Sequence, residues 1–402
     1  MKPLLPVAEA LSRILAGVQA PAEIEEVPLI ESLGRVLASD QVSPLAVPGE
    51  DNSAMDGYAV RLADMGVGPL PVAQRIPAGV TGEPLLPGTV ARIFTGAPVP
   101  AGADAVVMQE DCTVSTEGVV INSQVSAGQH IRPAGQDIER GSTVLVAGRR
   151  LRPQDLGLLA SIGCATVPVF RQLRVAILST GDELVEPGSG PLAPGQLYNS
   201  NRYTLAGLLR SMHIMVIDGG IVPDDPDATR NALQQAADAA DCVITSGGVS
   251  VGEEDHVKQQ VDNLGHLDLW KLAMKPGKPL AFGRIGSTPF IGLPGNPSSV
   301  FVTFCLIARP YLLRLQGVTD AATPSLQVRA GFAVERPGSR QEYLRVTVED
   351  SPEGLLARSY TNQSSGVLSS VSHSNALAVI PPGTTIAPGD PGEVLLLDLL
   401  AG

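Results

Sequence analysis

Four short polar stretches between residues 171 and 318 could together bind phosphate-like anions and a divalent cation. They are residues 179–183 (STGDE), 245–255 (TSGGVSVGEED), 271–279 (KLAMKPGKP) and 292–299 (GLPGNPSS). Glycine lets the backbone turn sharply, hydroxyl groups and backbone amides donate hydrogen bonds to anions, and carboxylates are hard oxygen ligands for Mg²⁺. The residue types therefore predict a site for a small, highly charged ligand.

The first stretch places two carboxylates at the end of an apolar run. Gly181 permits a sharp turn, which leaves Asp182 and Glu183 adjacent and beyond the run. These side chains could bind a metal ion or orient a substrate. The alternative is that Asp182 caps a helix.

The second stretch has the composition of a phosphate-binding turn. An apolar run leads into Ser246, Gly247 and Gly248, so that backbone amides could point at a phosphate. Ser250 belongs to the same turn, and Asp255 follows where it could bind Mg²⁺. The stretch lacks the Gly-Lys-Ser/Thr of a Walker A loop and the GxGxxG pattern, and an ordinary turn is the alternative.

The third and fourth stretches add positive charge and a helix start. The third stretch contains three lysines that could together bind an anion: Lys271, Lys275 and Lys278. The alternative is a basic surface that faces only solvent. Strand alternation would put Lys271 and Lys275 on the same side, with Lys278 beyond the turn. In residues 292–299, Pro297 suits the first helical position, and the helix start would offer free amides to an anion; a simple helix cap is the alternative.

Polar stretches outside this region are harder to assign. Residues 51–58 (DNSAMDGY), 95–98 (TGAP) and 135–138 (GQDI) are each compatible with an ordinary turn. The five histidines show no HxH or HxxxH spacing, so a zinc site is not indicated, and no GxSxG motif marks a serine hydrolase. Mg²⁺ bound by oxygen ligands is the metal that the residue types favour.

The elements that must position the four stretches form an α/β pattern over residues 171–318. A continuous apolar run at residues 173–179 is typical of a strand buried on both faces. Helix-like and strand-like segments then alternate, and a long helix from Pro297 to roughly Leu315 closes the region. This alternation predicts a mostly parallel sheet whose ligands lie beyond the carboxyl ends of the strands.

The rest of the chain divides by pattern into smaller units. Residues 1–45 and 141–170 combine helix-like and strand-like patterns and could pack together, which would make the β-rich residues 46–140 an insertion. Residues 322–402 have short strands and turns that predict a small β-barrel. A chain of 402 residues is also long enough for several domains.

Composition disfavours several classes of protein. The formal net charge of −13 argues against nucleic acid as a partner. The four cysteines include no CxxC pair, which favours reduced thiols over a disulfide framework. Glu9 and Arg13 interrupt the N-terminal apolar pattern, which favours an amphipathic helix over a signal peptide, and no apolar run approaches the ~20 residues of a membrane span. We expect a cytoplasmic protein without a membrane partner.

The motifs, in their order, resemble those of the molybdopterin molybdenumtransferases, the family that includes the catalytic C-terminal domain of gephyrin. The matching segments are DNSAMDGYAV, FTGAPVPAGADAVVMQED, STGDEL, SGGVSVGEEDH, KPGKP and GLPGNP. The resemblance extends over nearly the whole chain. Six motifs in order at compatible spacing are far more specific than any one of them.

The resemblance implies a fold and a reaction. The fold would be multidomain: a central three-layer α/β domain with a mostly parallel sheet (the molybdopterin-binding fold), an inserted β-rich domain, an elongated mixed N-terminal domain and a C-terminal β-barrel. The enzyme would take molybdate and adenylylated molybdopterin, cleave the adenylate and release AMP, assisted by Mg²⁺. It would be a homodimer in which the partner subunit helps to line the active site.

Site residues carry over from the family by motif. The catalytic residues would be Asp56, Thr95, Asp137, Glu183, Asp224, Asp255, Lys271 and Lys275, with Mg²⁺ held by Glu183 and Asp255. The residues that bind the substrates would be Ser246, Gly247, Gly248, Ser250, Lys278, Pro294, Gly295, Asn296, Pro297, Ser299, Arg340 and Ser365. The lysines, Arg340 and Ser365 would face the oxyanions, and Arg340 and Ser365 are assigned by local pattern only.

Three other functions remain open on the sequence. A molybdopterin adenylyltransferase would use the same sheet and the turn formed by Ser246, Gly247 and Gly248 (the SGG turn), without needing residues 46–140 or the barrel. The same holds for a nucleotide-processing enzyme of the competence-damage type. A gephyrin-like scaffold would normally carry an extra N-terminal domain and a linker. A molybdopterin adenylyltransferase, molybdoenzymes and their chaperones are the protein partners that the resemblance suggests.

Overall fold

The computed structural model describes residues 4–20, 23–248 and 256–401. Up to residue 170, short strands and turns dominate, as the abundance of glycine and proline predicts. The elements are α1 Val7–Leu15, β1 Ile24–Pro28, β2 Gln41–Val42, β3 Asn52–Ser53, β4 Gly57–Val60, β5 Val72–Ile76, β6 Val90–Ile93, β7 Ala105–Met108, β8 Cys112–Ser115, β9 Gly118–Ile121, β10 Ile131–Arg132, β11 Thr143–Leu145, α2 Pro153–Ser161 and β12 Thr166–Phe170.

The segments on either side of residues 46–140 pack against each other. β1 pairs with β12 and β2 pairs with β11, both in antiparallel fashion. Leu37 from the first segment shares one apolar core with Leu151, Leu159 and Val169 from the second. Two distant parts of the sequence therefore meet in one core, while the domain boundaries themselves stay a prediction.

Residues 46–140 contain a sheet of their own, with the strand order β5-β6-β4-β7. Every residue of the central strand β4 is buried. Val60 packs with Val107 in one core and Ala59 packs with Val106 in another, because successive side chains of a strand point to opposite faces. Both faces of this small sheet are therefore covered.

The α/β region has the strand and helix segments that the sequence predicts. Its elements are β13 Arg174–Thr180, β14 Leu184–Val185, β15 Leu197–Tyr198, α3 Ser200–Ser211, β16 Met215–Val222, α4 Pro226–Ala239, β17 Cys242–Ser246, α5 His256–Leu264, β18 Gly265–Lys271, β19 Met274–Lys275, β20 Pro279–Ile285, β21 Thr288–Leu293, α6 Pro297–Thr303 and α7 Arg309–Leu315. The main sheet has the order β16-β13-β17-β21-β20-β18. β16, β13, β17 and β21 are parallel, so the predicted mostly parallel sheet is confirmed.

Helices cover both faces of this sheet. Val175 and Ile177 of β13 belong to the apolar core that contains α3 and α6, whereas Ala176 and Leu178 belong to the core that contains α4 and α5. The alternation follows from the two-residue period of a strand. The three-layer α/β architecture is confirmed.

The far side of the sheet is antiparallel. β20 pairs antiparallel with both β21 and β18. Only Gly286 and Ser287 connect β20 to β21, and so short a connection joins antiparallel strands, since a parallel crossover needs a dozen or more residues. Gly286 has a φ angle of +57°, which suits such a turn.

The long helix that closes the region lies in the core. α6, a π-helical segment at Phe304–Ala308 and α7 form one helical run, Pro297–Leu315. By length and composition this run could cross a membrane, but 83% of its apolar window is buried inside the fold. Ala10 and Ile14 of the predicted amphipathic helix α1 pack in the same core. The apolar character of the run is therefore explained by packing.

The C-terminal region is a small closed barrel. Its elements are β22 Leu326–Ala330, β23 Gln341–Ser351, β24 Gly354–Ser359, α8 Ser369–Ser372, β25 Ala376–Ile380, β26 Pro391–Leu396 and α9 Leu397–Ala401. The strands follow the order β23-β24-β22-β26-β25, and β25 pairs back onto β23. The predicted barrel is confirmed. β19 of the lysine-rich stretch pairs with β23 and so ties the barrel to the α/β region.

Candidate functional site

The glycine-rich turns that follow β17 and β21 lie side by side with the end of β13. The parallel register pairs Ser179 with Ser246 and Ser246 with Leu293, so the chain leaves the sheet at the same level in all three strands. Gly295 then comes so close to Gly247 that a Cβ atom added to Gly295 would lie 3.8 Å from the Gly247 Cα atom. The register of the sheet thus brings the predicted turns together.

A cavity of about 660 Å³ opens beside these turns. Loops of the α/β region form part of its wall, and residues of the barrel form the rest. The predicted site residues that line it are Glu183, Gly247, Gly248, Lys275, Lys278, Pro294, Gly295, Asn296, Pro297, Ser299, Arg340 and Ser365.

A smaller cavity of about 280 Å³ shares Glu183 and the two glycines of the SGG turn with the first. Asp224 and Ser246 line this smaller cavity. Asp224 follows β16 and Ser246 ends β17, so both lie at the carboxyl edge of the parallel strands. The two cavities therefore form one continuous candidate site along that edge.

Gly181 determines where the Glu183 carboxylate lies. Its φ angle is +137°, and a Cβ atom at this position would overlap the Glu183 carboxylate. Asp182 Oδ1 accepts a hydrogen bond from the Asp224 amide at 3.1 Å, and the strand β14 follows instead of a helix. The alternative in which Asp182 caps a helix is therefore wrong, because this side chain links two turns of the site.

The SGG turn has no room for side chains at its glycines. Gly247 and Gly248 have φ angles of +92° and +66°. A Cβ atom on Gly247 would lie 3.1 Å from the Thr180 carbonyl oxygen, and one on Gly248 would collide with Val257. The turn therefore presents bare backbone to both cavities, which is the property that a phosphate-binding turn needs.

The start of α6 is covered by a loop of the barrel. Asn296 Nδ2 donates a hydrogen bond to Ser365 Oγ at 3.1 Å, and the Ser298 amide donates to the Ser365 carbonyl oxygen at 3.0 Å. Pro297 occupies the first helical position and has no N–H group. This helix start therefore offers fewer free amides to an anion than the sequence predicted.

Only part of the lysine cluster faces the site. Lys275 and Lys278 line the larger cavity, whereas Lys271 lines neither of the two. Lys271 ends β18 in the main sheet, but Lys275 belongs to β19, which pairs with the barrel. Because the two lysines lie in different sheets, the strand alternation that would have put them on the same side does not apply.

The barrel contributes an acidic residue that the sequence analysis did not identify. Lys275 Nζ lies 3.0 Å from Glu342 Oε2, and the Glu342 side chain is only 16% exposed. Arg340 Nη1 donates a hydrogen bond to the Met274 carbonyl oxygen at 3.1 Å, which joins the barrel to the lysine stretch. The only sequence signal for Glu342 was its position two residues after Arg340.

The start of α3 forms another wall of the larger cavity that the sequence analysis did not identify. Asn199, Ser200 and Asn201 line it. Asn199 occupies the N-cap position of α3, and Asn201 Nδ2 donates a hydrogen bond to the Gly295 carbonyl oxygen at 2.8 Å. The available signal was an Asn-Ser-Asn sequence just before an apolar helical pattern, which is typical of a helix N-terminus.

Asp56 and Thr95 contact each other in the β-rich region. Asp56 Oδ1 accepts hydrogen bonds from the backbone amide and from Oγ1 of Thr95, both at 2.8 Å. The backbone hydrogen bond and then the side-chain hydrogen bond lower the pKa of Asp56, so this exposed carboxyl is ionised at neutral pH. Asp137 is also exposed. None of these three residues is among the described residues that line the two cavities.

The smaller cavity is lined by carboxylates, whose oxygen atoms are suitable ligands for Mg²⁺. Glu183 and Asp224 both line it, and proteins commonly hold Mg²⁺ with one or two carboxylates together with substrate phosphates. Within residues 4–20, 23–248 and 256–401, no cluster of three or more His, Cys, Asp or Glu side chains could hold a metal ion. The predicted residues Ser250 and Asp255 lie outside this described part of the chain.

These features define a class of site. Glycine turns, two carboxylates, two lysines and an arginine converge at the carboxyl edge of a three-layer α/β sheet, against a small barrel. Such an arrangement suits a polyanionic small molecule, because backbone amides and cations can bind its oxygen atoms while carboxylates hold a metal ion.

Comparison with known proteins identifies the family. Three family models match successive parts of the chain: the MoeA N-terminal region (domain I and II) over residues 5–163, a probable molybdopterin binding domain over residues 176–314, and the MoeA C-terminal region (domain IV) over residues 327–397. The molybdopterin molybdenumtransferase of Haemophilus influenzae is 41% identical over 94% of this chain and 94% of that protein. The molybdopterin molybdenumtransferase 2 of Mycobacterium tuberculosis is 38% identical over 92% and 94%, respectively.

A solved structure agrees with these matches over the whole fold. The molybdopterin biosynthesis MoeA protein from Pyrococcus horikoshii has a TM-score of 0.85 and 30% sequence identity, over 98% of this chain and 100% of that chain. The chain therefore belongs to the molybdopterin molybdenumtransferase (MoeA) family.

Proposed function

We propose that this chain inserts molybdate into adenylylated molybdopterin, with cleavage of the adenylate and release of AMP. The chain is a transferase of molybdenum cofactor synthesis, as its relatives' names indicate at 35% to 41% identity over nearly their full length. The observation that carries the proposal is the larger cavity, in which glycine turns of the α/β region face Lys275 and Arg340. Both substrates are anions, and both need the backbone amides and positive charges that line this cavity.

We assign different ends of the site to the two anions. Lys275, Lys278 and Arg340 would hold molybdate, a dianion that cations and hydroxyl groups bind well, and Ser365 would add a hydroxyl group. The SGG turn would hold the phosphoanhydride with its backbone amides. The chain's own residues thus keep the oxyanion close to the dithiolene, which supplies proximity and orientation.

Several sequence-derived roles remain proposals at this site. Pro294, Gly295, Asn296, Pro297 and Ser299 would shape the substrate-binding turn beside the SGG turn. Ser246 and Ser250 would bind the adenylate from the same edge. Lys271, which lines neither cavity, would act on the oxyanion only after a rearrangement of its strand end.

Mg²⁺ is the proposed cofactor. Glu183 would hold it together with Asp255, and Asp224 lies in the same smaller cavity as Glu183. When bound, the ion would neutralise negative charge on the phosphoanhydride. These carboxylates would orient the ion towards the phosphate groups that the SGG turn would hold.

We further propose a homodimer with a shared active site. Asp56, Thr95 and Asp137 are motif residues that face solvent away from both cavities of their own chain. In a symmetric dimer, the β-rich region of one subunit can reach the cavity of the other. The cytoplasm is the proposed location, and a molybdopterin adenylyltransferase, molybdoenzymes or their chaperones are the proposed protein partners.

The barrel argues against the alternative functions. A molybdopterin adenylyltransferase would need the α/β domain alone, yet Arg340 and Ser365 of the barrel line the larger cavity. Glu342 of the barrel also pairs with Lys275. A pure scaffold would not need these groups to converge on one cavity. The proposed insertion reaction would need both the turns of the α/β region and the barrel residues that line the larger cavity.

The test is AMP release from adenylylated molybdopterin, measured with and without molybdate and Mg²⁺, together with reconstitution of an apo-molybdoenzyme. We expect molybdate-dependent AMP release and an active molybdoenzyme. Formation of adenylylated molybdopterin from molybdopterin and ATP, without insertion of molybdenum, would instead establish the adenylyltransferase function.

A further inference from the structure

The start of α3 offers hydrogen-bond donors to the larger cavity. Asn199, Ser200 and Asn201 all line it, and α3 runs for 12 residues. The first N–H groups of a helix lack partners within the helix and lie at the positive end of its dipole. The hydrogen bond from Asn201 to the Gly295 carbonyl oxygen holds this helix start beside the glycine turns.

Among the described residues, the Asn199 side chain uses only one of its two polar atoms in hydrogen bonds. Oδ1 accepts hydrogen bonds from the Arg202 amide at 3.3 Å and from Ser179 Oγ at 3.4 Å. Nδ2 is buried without a hydrogen-bond partner among the described residues, in a residue that is only 1% exposed. Exchanging the two atoms would set Nδ2 against the Arg202 amide, a donor against a donor, so this network determines their assignment.

A buried donor without a partner is unfavourable, and an oxygen atom of a ligand at this wall of the cavity would satisfy it. The guanidinium group of Arg202, in the first turn of α3, is not available to an anion at this helix start. Arg202 is already paired with Glu186 at 2.6 Å and with Asp218 at 2.7 Å. The amides of a helix start can bind a phosphate group even where no cation contributes to the same contact.

We propose that Asn199 Nδ2 and the first amides of α3 bind a phosphate oxygen atom of AMP and of the adenylylated substrate. This subsite lies beside the glycine turns, whereas Lys275 and Arg340 would bind molybdate. The identity of the ligand rests on the proposed function. Asn199 is thus a substrate-binding residue that also caps α3.

The test separates these two roles by substitution. Aspartate caps helices as well as asparagine does, so Asn199→Asp keeps the hydrogen bond to the Arg202 amide but replaces the donor by an anionic acceptor. We expect AMP to bind about tenfold or more weakly in isothermal titration calorimetry, since a lost charge-assisted contact is of that order. Molybdate binding is expected to stay close to that of the wild type, whereas the thermal midpoint should fall because the aspartate places a charge at a buried position.

Two further variants complete the test. Asn199→Ser also caps the helix but replaces Nδ2 by a shorter hydroxyl group without adding charge, and it is expected to weaken AMP binding less than the aspartate does. Asn122→Asp introduces the same charge on the β8–β9 hairpin, where Asn122 Nδ2 donates to Thr113 Oγ1 at 2.9 Å. This control is expected to bind AMP as the wild type does.

Wild-type AMP affinity in both Asn199 variants would overturn the subsite, and so would a wild-type protein that does not bind AMP. An equal loss of AMP and molybdate binding would also overturn it, because the effect would then not be local. A wild-type protein that binds AMP through Asn199 but inserts no molybdenum would contradict the proposed function alone.

Discussion

At the residue scale, Asp56 has a distinctive hydrogen-bond arrangement. Both hydrogen bonds from Thr95 end on Oδ1, so the other carboxylate oxygen atom remains available to a ligand or to a partner subunit. The lowered pKa keeps this side chain ionised. Its interaction with Thr95 is present above the usual carboxyl pKa of about 4 and is lost as the pH falls through the lowered value.

We predict that Thr95→Val raises the pKa of Asp56 toward its usual value. The substitution removes the side-chain hydrogen bond and leaves the stronger contribution, that of the Thr95 backbone amide, in place. A carbon-detected NMR titration of the Asp56 carboxyl measures the change. Thr113→Val, in the β8–β9 hairpin, serves as the control and should leave the Asp56 titration unchanged. An unaltered Asp56 pKa in Thr95→Val would show that the hydroxyl group has no effect.

Gly181 provides a second prediction at this scale. Gly181→Ala is expected to cost about 1–3 kcal/mol of stability, because its φ angle of +137° disfavours an L side chain. Since the new Cβ atom would overlap the Glu183 carboxylate, AMP release should also fall by on the order of tenfold to a hundredfold.

Gly188→Ala is the matched control for Gly181→Ala. Gly188 also has a positive φ angle, +91°, but no atom lies within 4 Å of an added Cβ. It should lose similar stability, measured by urea unfolding, and retain its activity. Equal loss of activity in both variants would mean that backbone strain, and not the position of Glu183, is responsible.

At the element scale, a buried arginine in β23 holds the barrel loop that faces the site. Arg345 is 1% exposed. Its Nε donates to Ser370 Oγ at 3.0 Å, and its Nη1 and Nη2 donate to the carbonyl oxygen atoms of Tyr343 and Ser364, each at 3.3 Å. Ser365, the next residue, then contacts Asn296 at the start of α6. The arginine therefore connects the barrel to the wall of the larger cavity.

We predict that Arg345→Met destabilises the protein by about 2–5 kcal/mol, because several buried acceptors lose their donor. Molybdate binding should weaken as well, since Ser365 would lose its support. Arg358→Met is the control in the same barrel: Arg358 is 61% exposed and pairs with Glu349, so a change within about 1 kcal/mol is expected. Urea unfolding and calorimetric titration with molybdate measure both effects. Equal destabilisation by the two variants would contradict the role of Arg345.

At the scale of the whole molecule, the proposed homodimer with a shared active site can be tested by complementation. Asp56→Ala and Arg340→Ala should each inactivate the enzyme. When the two variants exchange subunits, half of the dimers are mixed and each mixed dimer has one intact site, so about a quarter of the wild-type activity is expected. Asp56→Ala mixed with Thr95→Ala should recover nothing. Absence of recovery after proven subunit exchange would show that each chain completes its own site.

The sequence predicted the main strands and helices of the α/β region and the turns that meet at the edge of its sheet. The apolar run of β13 predicted a buried central strand, and alternation with helices predicted the parallel sheet, because local periodicity reports which faces are covered. The motifs around Gly181, Gly247 and Pro297 predicted three turns that meet at one edge of that sheet. These features depend on residues close together in the chain.

Which residues line the same cavity depends on how distant segments of the chain pack together. Lys271 and Lys275 are four residues apart but lie in different sheets. The Ser365 carbonyl oxygen accepts a hydrogen bond from the Ser298 amide, at the start of α6. Glu342 contacts Lys275 because β19 pairs with the barrel, and Asn199 lines the cavity because α3 packs beside Gly295. Such contacts join segments far apart in sequence. Local patterns do not encode them, because they depend on sheet register and on the packing of one unit against another.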